Sequence, residues 1–486
     1  MCNCCSKRLK KTLLTVTGIL LIIISVVFYL FYDRAIRWQV RRALVLSEDS
    51  LIYEFWRDVP IDIYYYIYMF NTTNPDRVAG LGEDPNLQEL GPYVYREKRQ
   101  KVNITFNTNG TVSYEQIKTY HFDSERSSKN VSINDMIAHL NYPLIVAGYI
   151  LHREFADNPF MYYMMQTACD NTAHPKKLVD CSLYQMHTVQ QILFDGWTDN
   201  LIEAVGDRLH LPFTKFSFFT GRNGTAWDGQ YNMFTGSTDI DKLGFMNRWK
   251  KNTTIGHFRK LSHCDRFDYC TAGDLRPPYQ MSESSQPIDI FIGDMCRSFR
   301  LSYREDIDYQ GIYGKRYVAD GSVFDYSMDI NRCYCGNSTK SMECPANGVA
   351  DVSQCVYGAP VYLSYPHFLH ADRSYTRFLR GLAADKHRHL FYMDFEPQLA
   401  VPLKASAKIQ MNLLVERNEN MNTTKQLVHQ KLYYPQLWLD IRVEMNDEMT
   451  KKIKLIVKYV PMICDILALL GLLVGILLVL IVPIPW

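Results

Sequence analysis

The sequence predicts an α+β protein in which a sheet-rich domain with one helical insertion is held at a membrane by both ends. Two long uncharged apolar segments lie near the ends of the 486-residue chain. The region between them is too long for a connecting loop and large enough for a substantial core. Its segments rich in tyrosine and β-branched residues are typical of half-buried strands. We therefore expect the function to lie between the two spans.

The first apolar segment, residues 13–32, contains no charge over twenty residues. A helix of that length covers about 30 Å of hydrocarbon, which is enough to cross a bilayer. A cleavable signal peptide is the alternative, but the run is longer than a typical signal core and no small-x-small cleavage site follows it. We expect an uncleaved span after a cytosolic tail of residues 1–12.

The second apolar segment ends the printed sequence, and its residues 466–486 carry no charge. A glycolipid-anchor signal also ends in an apolar tail. Such a signal needs a cluster of small residues before a polar spacer, and residues 443–458 have none. We expect a second span over residues 459–484 and a vestigial tail of residues 485–486.

Two glycines in this second span have the small-xxx-small spacing that lets helices approach closely. Gly471 and Gly475 could pack against the first span or against a second copy of the chain, and a lipid-facing position is the alternative. Asp465 lies near the outer end of the span, where we expect its carboxylate to reach the interface.

Glycosylation sequons set the orientation, because Lys and Arg flank both sides of the first span and the positive-inside rule does not decide it. All of the Asn-x-Ser/Thr sequons lie between the spans. They are at Asn71, Asn103, Asn109, Asn130, Asn223, Asn252, Asn337 and Asn422. Nine of the thirteen cysteines lie there too. We expect both termini in the cytosol and a glycosylated, disulfide-bonded ectodomain over residues 33–458.

The N-terminal tail begins with a cysteine cluster beside basic residues and a span. Cys2, Cys4 and Cys5 therefore have the setting of S-palmitoylation, which adds membrane affinity through buried methylenes. Incidental cysteines are the alternative.

Strand patterns dominate the ectodomain, with one exception. The predicted strands are "IDIYYYIYMF", "GPYVYREKR", "GTVSYEQIKTYHF", "GAPVYLSYPHF" and "SAKIQMNLLVE". From about residue 132 to residue 197 the pattern is helical. The capping-box-like "SIND" at Ser132 predicts a helix start, and Asn158 followed by Pro159 predicts another. We expect an apical helical region there.

The segment "NRCYCGNSTKSMEC" is compatible with either a zinc site or disulfides. An oxidising lumen favours disulfides among the ectodomain cysteines, and zinc is the alternative. Cys333 and Cys335 point to opposite sides of an extended segment, so they are expected to pair with different partners. Nine is an odd number, so at least one thiol stays free or pairs between chains.

No known catalytic motif occurs in the sequence. It has no G-x-S-x-G, H-E-x-x-H or P-loop motif and no G-x-G-x-x-G after a strand. The histidines His367, His370, His387 and His389 have unspecific spacing, and satisfied or solvated loop histidines are the simpler interpretation. The net charge of +2 gives no indication of nucleic-acid binding. We expect a protein that is not an enzyme and needs no cofactor or metal.

Several segments together resemble the class B scavenger receptor family, which includes fatty-acid translocase and the lysosomal integral membrane protein. They are "FNTTNPDRV", "ELGPYVYREKRQK", "GTVSYEQ", "ILFDGWTD", "TGSTDIDKLG", "MCRSFRLSY", "GAPVYLSYPHFLHAD", "FEPQLAVPLKASAKIQMNLLVE" and "PQLWLD". The resemblance runs from the first span to the second. Within the family the sequence is most similar to the insect receptors of the croquemort type.

This resemblance implies an ectodomain with an antiparallel β-barrel-like core, an apical helical bundle and an internal apolar tunnel toward the bilayer. It also implies three disulfides, which are Cys264 to Cys333, Cys296 to Cys355 and Cys335 to Cys344. Cys169, Cys181 and Cys270 lie outside the family pattern. We expect Cys169 to pair with Cys181 and Cys270 to stay free.

The family function implied is a plasma-membrane receptor that moves lipid through the tunnel to the membrane. The implied ligands are fatty acids, sterols or carotenoids, lipoproteins, and apoptotic or microbial surfaces, and a homo-oligomer is a further candidate. The alternative is a lysosomal or partner-binding receptor whose apical helices dock a protein cargo. A lysosomal relative is expected to carry a sorting motif after the second span. The printed sequence stops at "VPIPW", which favours the plasma membrane.

The expected ligand entrance is the apex. The helical segment "PFMYYMMQ" offers flexible, polarizable side chains at Phe160, Met161, Met164 and Met165, and packing of the apical bundle is the alternative. Lys176 and Lys177 lie near the place where relatives carry basic apical residues for anionic ligands. An ordinary solvated loop is the alternative for these two lysines.

Overall fold

The structure is a computed structural model. It describes residues 3–50, 52–155, 158–169, 180–202, 214–258, 260, 262–278, 286–335 and 344–481.

Two long helices form the ends of the described chain, and shorter helices lie between them. The α-helices are α1 Asn3–Ala43, α2 Tyr53–Arg57, α3 Pro75–Leu81, α4 Tyr142–Phe155, α5 Pro159–Cys169, α6 Asp329–Arg332, α7 Asp447–Lys454 and α8 Val460–Ile481. A π-helical turn, Leu455–Tyr459, joins α7 to α8.

Antiparallel strands make up the body between the terminal helices. They are β1 Ile63–Thr72, β2 Leu87–Phe106, β3 Thr111–Phe122, β4 Met136–Leu140, β5 Tyr184–Thr188, β6 Trp197–Thr198, β7 Lys215–Phe216, β8 Tyr231–Phe234, β9 Met246–Trp249, β10 Ile288–Ile292, β11 Arg297–Tyr309, β12 Ile312–Ala319, β13 Val349–Asp351, β14 Val361–Ser364, β15 Phe391–Glu396, β16 Val401–Glu416 and β17 Lys431–Glu444. The mixture of helix and antiparallel sheet confirms the predicted α+β class.

Most strands join one large sheet in the order β10-β11-β12-β15-β16-β17-β1-β2-β3-β8-β9, with β14 attached to β16 and β13 to β14. Charged pairs fix the register at both ends of its longest ladder, where Lys404 faces Glu444 and Lys431 faces Glu416. Every predicted strand segment contributes a strand to this sheet.

The predicted barrel-like core does not close into a barrel within the described residues. The main path of the sheet ends at β9 and β10, and the short segment at Cys270 and Thr271 lies between these two strands. The Met246 amide donates to the Cys270 carbonyl (2.9 Å), and the Phe291 amide donates to the Thr271 carbonyl (2.8 Å). Because this segment makes isolated bridges rather than a continuous ladder, it connects the edges without closing the sheet.

The hydrophobic core lies against the central strands. Ile67 of β1, Tyr93 of β2 and Trp438 of β17 are buried. Tyr68 stacks on Trp438 with ring centroids 3.9 Å apart.

The helical region contains α4 and α5, but it begins and ends with strands. Ser132 does not start a helix: its amide donates to Asp135 Oδ2 (2.8 Å) in a turn that leads into β4. β4 then pairs with β5 beneath the two helices. The second predicted start is confirmed, since Pro159 begins α5 and Asn158 Oδ1 accepts from the Phe160 amide.

The terminal helices α1 and α8 are long and apolar enough to cross a membrane. They pack side by side, and the contact includes the predicted glycines. A Cβ on Gly475 would lie 2.8 Å from Ile22 Cγ1, and one on Gly471 would collide with Ser25 Oγ. Both glycines therefore face the first span, as one of the three sequence-based alternatives predicts.

Candidate functional site

The exposed face of α5 is apolar. Phe160 and Tyr163 each expose 64% of their surface and Met164 exposes 50%. Phe160 and Met164 were expected at a ligand entrance, whereas Tyr163 was not selected from the sequence although it lies one position from Met164 in the same helix.

The other two residues of the expected entrance lie on the packed face of α5. Met161 and Met165 contact the small core that contains Tyr162 and Met421. Met165 also lines an apical pocket together with Tyr163 and Met421, so a role of these two methionines at an entrance stays a prediction. Lys176 and Lys177, the expected basic residues of the apex, lie outside the described residues.

An apolar cavity of about 400 Å³ lies beneath α4, and we call it the α4 cavity. Its volume falls within the range of small-molecule sites. Its apolar lining includes Tyr142, Pro143, Val146, Ala147, Leu201, Ile202, Phe216, Phe218, Val361 and Met411. These residues come from distant parts of the sequence, so no local motif indicated the cavity.

Aromatic side chains hold one wall of the α4 cavity in place. The Tyr142 ring lies 4.9 Å from the Phe216 ring and 5.2 Å from the Phe218 ring, centroid to centroid. Tyr142 is the first residue of α4, and β7 carries Phe216. The wall is therefore formed by two elements that pack against each other.

Four charged residues form a compact group, which we call the charged cluster, and three of them, Arg222, Asp228 and Asp294, line the α4 cavity. Lys118 Nζ lies 2.7 Å from Asp228 Oδ2 and 3.2 Å from Asp294 Oδ2, and Arg222 also donates to Asp294. Burial disfavours ionisation of Asp294, but Lys118 and Arg222 outweigh it and lower its pKa. Burial, together with the neighbouring Asp294, raises the pKa of Asp228. The charged side chains of the cluster are therefore paired with one another.

Lys250 also lines the α4 cavity, and its side chain is exposed. Its ammonium lies 4.4 Å from the centroid of the Trp249 ring. Among the described residues, no carboxylate lies within 4.0 Å of this ammonium. The cavity therefore combines apolar walls with the internally paired charged cluster and one exposed cation.

Three disulfide bonds are formed in the structure. They are Cys169–Cys181, Cys264–Cys333 and Cys335–Cys344. Cys333 and Cys335 bond to different partners. Cys270 is a buried free thiol that donates to the Phe267 carbonyl, and burial raises its pKa.

The fourth expected bond, between Cys296 and Cys355, is not formed, and both residues are free thiols. The two sulfurs are nevertheless adjacent: they and a His257 ring nitrogen all lie within 4.8 Å of one another. These three groups could ligate a metal ion such as zinc, which would still need a fourth ligand. In an oxidising compartment the same two thiols are placed to pair.

The histidines that had no assigned role fall into different surroundings. His367 Nε2 lies 2.5 Å from Glu89 Oε2, and its Nδ1 accepts from the Ala383 amide. His389 is fully buried and stacks on His367, with centroids 4.7 Å apart. These two are structural groups, whereas His387 is exposed.

Comparison with known sequences then decides the family. Residues 16–485 match the pattern of the CD36 family. The chain belongs to the CD36 family. The match covers most of α1, all of α8 and the residues between them, and it confirms the class B scavenger receptor resemblance.

Three relatives show the range of the CD36 family. Scavenger receptor class B member 1 of Rattus norvegicus is 29% identical over 88% of this chain and 79% of its own length. Protein peste of Drosophila melanogaster is 31% identical over 85% of this chain and 71% of its own length. Lysosome membrane protein 2 of Rattus norvegicus is 26% identical over 96% of this chain and 92% of its own length. The narrower likeness to croquemort-type receptors stays a prediction.

Within this CD36-family chain most expected glycosylation sites are accessible. The exposed sequon asparagines are Asn103, Asn109, Asn130, Asn223, Asn252 and Asn422. Asn71 is half-buried in β1, where its Oδ1 accepts from the Ala138 amide (2.9 Å). Asn337 lies outside the described residues.

The expected palmitoylation sites lie at the edge of the described chain. Cys2 is outside it, and Cys4 and Cys5 belong to the first turns of α1. Palmitoylation of the three cysteines stays a prediction.

Proposed function

We propose that this CD36-family chain is a plasma-membrane receptor that binds lipids, lipoproteins or lipid-exposing particles and transfers lipid to the bilayer. The α4 cavity is the observation that carries the proposal. An apolar space of about 400 Å³ suits a hydrocarbon chain. Because the hydrophobic effect alone favours moving a chain from water into such a space, no catalytic group is required.

Transfer to the membrane requires a path that shields the lipid from water. We propose that the α4 cavity is the upper part of a tunnel toward the bilayer. The position of α1 and α8 supports this path, since the two paired helices would hold the sheet next to the membrane. Both termini would lie in the cytosol and the glycosylated region outside.

Ligands would enter from the apex. The exposed face of α5 at Phe160, Tyr163 and Met164 offers apolar contact to a lipid particle. Lys176 and Lys177 would attract anionic particles to the same end. Met161 and Met165 would support this face from beneath rather than touch the ligand.

A second candidate is docking of a protein cargo on the apical helices. The exposed aromatic rings of Phe160 and Tyr163 favour it, because exposed aromatic side chains are frequent anchors of protein interfaces. A relative, lysosome membrane protein 2, is named for the lysosome. In this case the receptor would work inside the cell.

Filling the cavity tests the proposal. Ala147 lines the α4 cavity, and Ala147→Trp places a large ring in that space. Cells expressing this variant should lose uptake of labelled fatty acid, sterol ester and carotenoid, while surface level stays normal. Ala384→Trp in an exposed loop is the matched control. Unchanged lipid uptake by Ala147→Trp at normal surface level would refute a lipid path through the cavity.

A further inference from the structure

We infer that the mouth of the α4 cavity selects lipids with an anionic headgroup, which Lys250 binds while the hydrocarbon chain lies inside. The inference rests on the proposed lipid-binding function and adds a specificity determinant to it. It assigns the recognition of the headgroup charge to Lys250 in the cavity lining rather than to Lys176 and Lys177.

Lys250 is held in position by its surroundings. Its backbone has φ 48°, and its amide donates to the Gln230 carbonyl (2.7 Å). Its aliphatic stem lies over Gly229, where an added Cβ would come within 2.9 Å of Lys250 Cγ. Its ammonium lies over the Trp249 ring. Because the stem is already packed, ordering this side chain around a headgroup costs less entropy than ordering a free surface lysine.

Within the described part of the chain, the carboxylates near Lys250 are paired with other cations. The charged cluster contains two cations, Lys118 and Arg222, and two carboxylates, Asp228 and Asp294, so it is neutral as a whole. Because Arg222, Asp228 and Asp294 of the lining are bonded within the cluster, Lys250 is the cation of the described lining that is available to an incoming anion. The anion would not need to displace a described carboxylate from Lys250.

The cavity also imposes a direction on an amphiphile. Lys250 is exposed, whereas Tyr142, Leu201 and Ile202 are buried. A ligand with one charged end and one apolar chain satisfies both surroundings only with its chain inward. The headgroup chemistry that fits is a carboxylate or a phosphate, either of which accepts hydrogen bonds from an ammonium.

Three ligands with the same chain isolate the headgroup: oleate, oleyl phosphate and the neutral oleyl alcohol. Each is measured by equilibrium binding to the full chain in nanodiscs of uncharged lipid. Lys250→Met should weaken oleate, oleyl phosphate or both by about five- to tenfold and leave oleyl alcohol unchanged. Lys250→Arg should retain binding. Lys251→Met is the matched control, because Lys251 is exposed and also has positive φ.

The results separate this inference from the function on which it rests. If Lys250→Met reduces only one anion, the headgroup class is that one. If Lys250→Met binds all three ligands as tightly as the parental protein does, Lys250 does not determine headgroup specificity. The proposed binding of lipid in the cavity is unaffected by that result. Equal loss of oleyl alcohol would also contradict the inference, since it would indicate a damaged cavity. If the parent binds none of the three saturably, the proposed function itself fails.

Discussion

Gly18 of α1 lies directly against Gly475 of α8. A methyl group on Gly18 would come within 2.8 Å of the Gly475 carbonyl oxygen. At the outer end of the same helix pair, the Tyr32 hydroxyl donates to Asp465 Oδ1 (2.6 Å). Close approach of the two backbones therefore depends on the absence of side chains at these glycines, and a chain that pairs its own spans uses this face internally.

Enlarging the glycines of α8 should separate the helices. Gly471→Leu combined with Gly475→Leu should destabilise the protein by about 1–3 kcal/mol through overpacking. The thermal midpoint of the solubilised full chain measures it. Val474→Leu adds volume on an exposed face and serves as control. An unchanged midpoint in the double variant would show that this contact does not hold the helices together.

Acidification should destabilise the ectodomain through buried histidines. Burial lowers the pKa of His139 to about 3, and burial together with His367 lowers the pKa of His389 to about 4. The unfolded chain titrates near about 6.5. The contribution of each histidine to the free energy of unfolding is therefore complete above about pH 6.5. It decreases as the pH falls toward the folded pKa, by about 2 kcal/mol per histidine at pH 5.

The thermal midpoint at pH 7.5 and at pH 5.0 checks this dependence. His389→Gln should narrow the difference between the two midpoints. His387→Gln, an exposed neighbour, should leave it as in the parent. A His389→Gln variant with the parental pH dependence would contradict the assignment.

Asn71 should carry no glycan, despite its sequon. Its side-chain oxygen links β1 to the Ala138 amide, and its backbone lies in the ladder opposite Gln88. Asn71→Gln should leave the glycoprotein mass unchanged and lower stability by about 1 kcal/mol. Asn103→Gln, at an exposed sequon, should remove the mass of one glycan. Loss of a glycan from Asn71→Gln would contradict this prediction and show that Asn71 is glycosylated before β1 is in place.

The two disulfides around Cys333 and Cys335 should differ in strength. Cys264–Cys333 spans 69 residues and Cys335–Cys344 spans nine. In the chain-entropy account the longer loop contributes about 4 kcal/mol and the shorter about 2.5 kcal/mol. Replacing the first pair by alanine should therefore lower the surface level more than replacing the second. The reverse order would show that strain or local packing, rather than loop length, determines how much each disulfide stabilises the protein.

The strands could be predicted from sequence because their pattern is local. Tyrosine and β-branched residues alternate or cluster in β1 and β16, and both form as expected. Whether the sheet closes depends on what joins β9 to β10, which is the tertiary placement of Thr271. Ser132 shows the limit of a local signal, since the same side chains that cap a helix also close a turn before a strand.

The ligand entrance on α5 stays a prediction, and its four residues do not share one face of the helix. Phe160 and Met164 are four residues apart, as are Met161 and Met165, so helical periodicity puts the pairs on different faces. No sequence pattern predicted the α4 cavity, because lining residues such as Tyr142 and Met411 come together only in the folded chain. Lys250 could be selected only from the structure, which shows that the charges of the neighbouring cluster are paired with one another.

A photoreactive fatty acid tests the central claim most directly. Oleate with a diazirine in its chain is offered to cells expressing the full protein, and the labelled peptides are identified by mass spectrometry. Lipid in the α4 cavity predicts labels on Tyr142–Ala147 and on Phe216–Phe218, and their loss in Ala147→Trp. Labels confined to the exposed face of α5, with none on these two segments, would contradict a lipid-binding cavity.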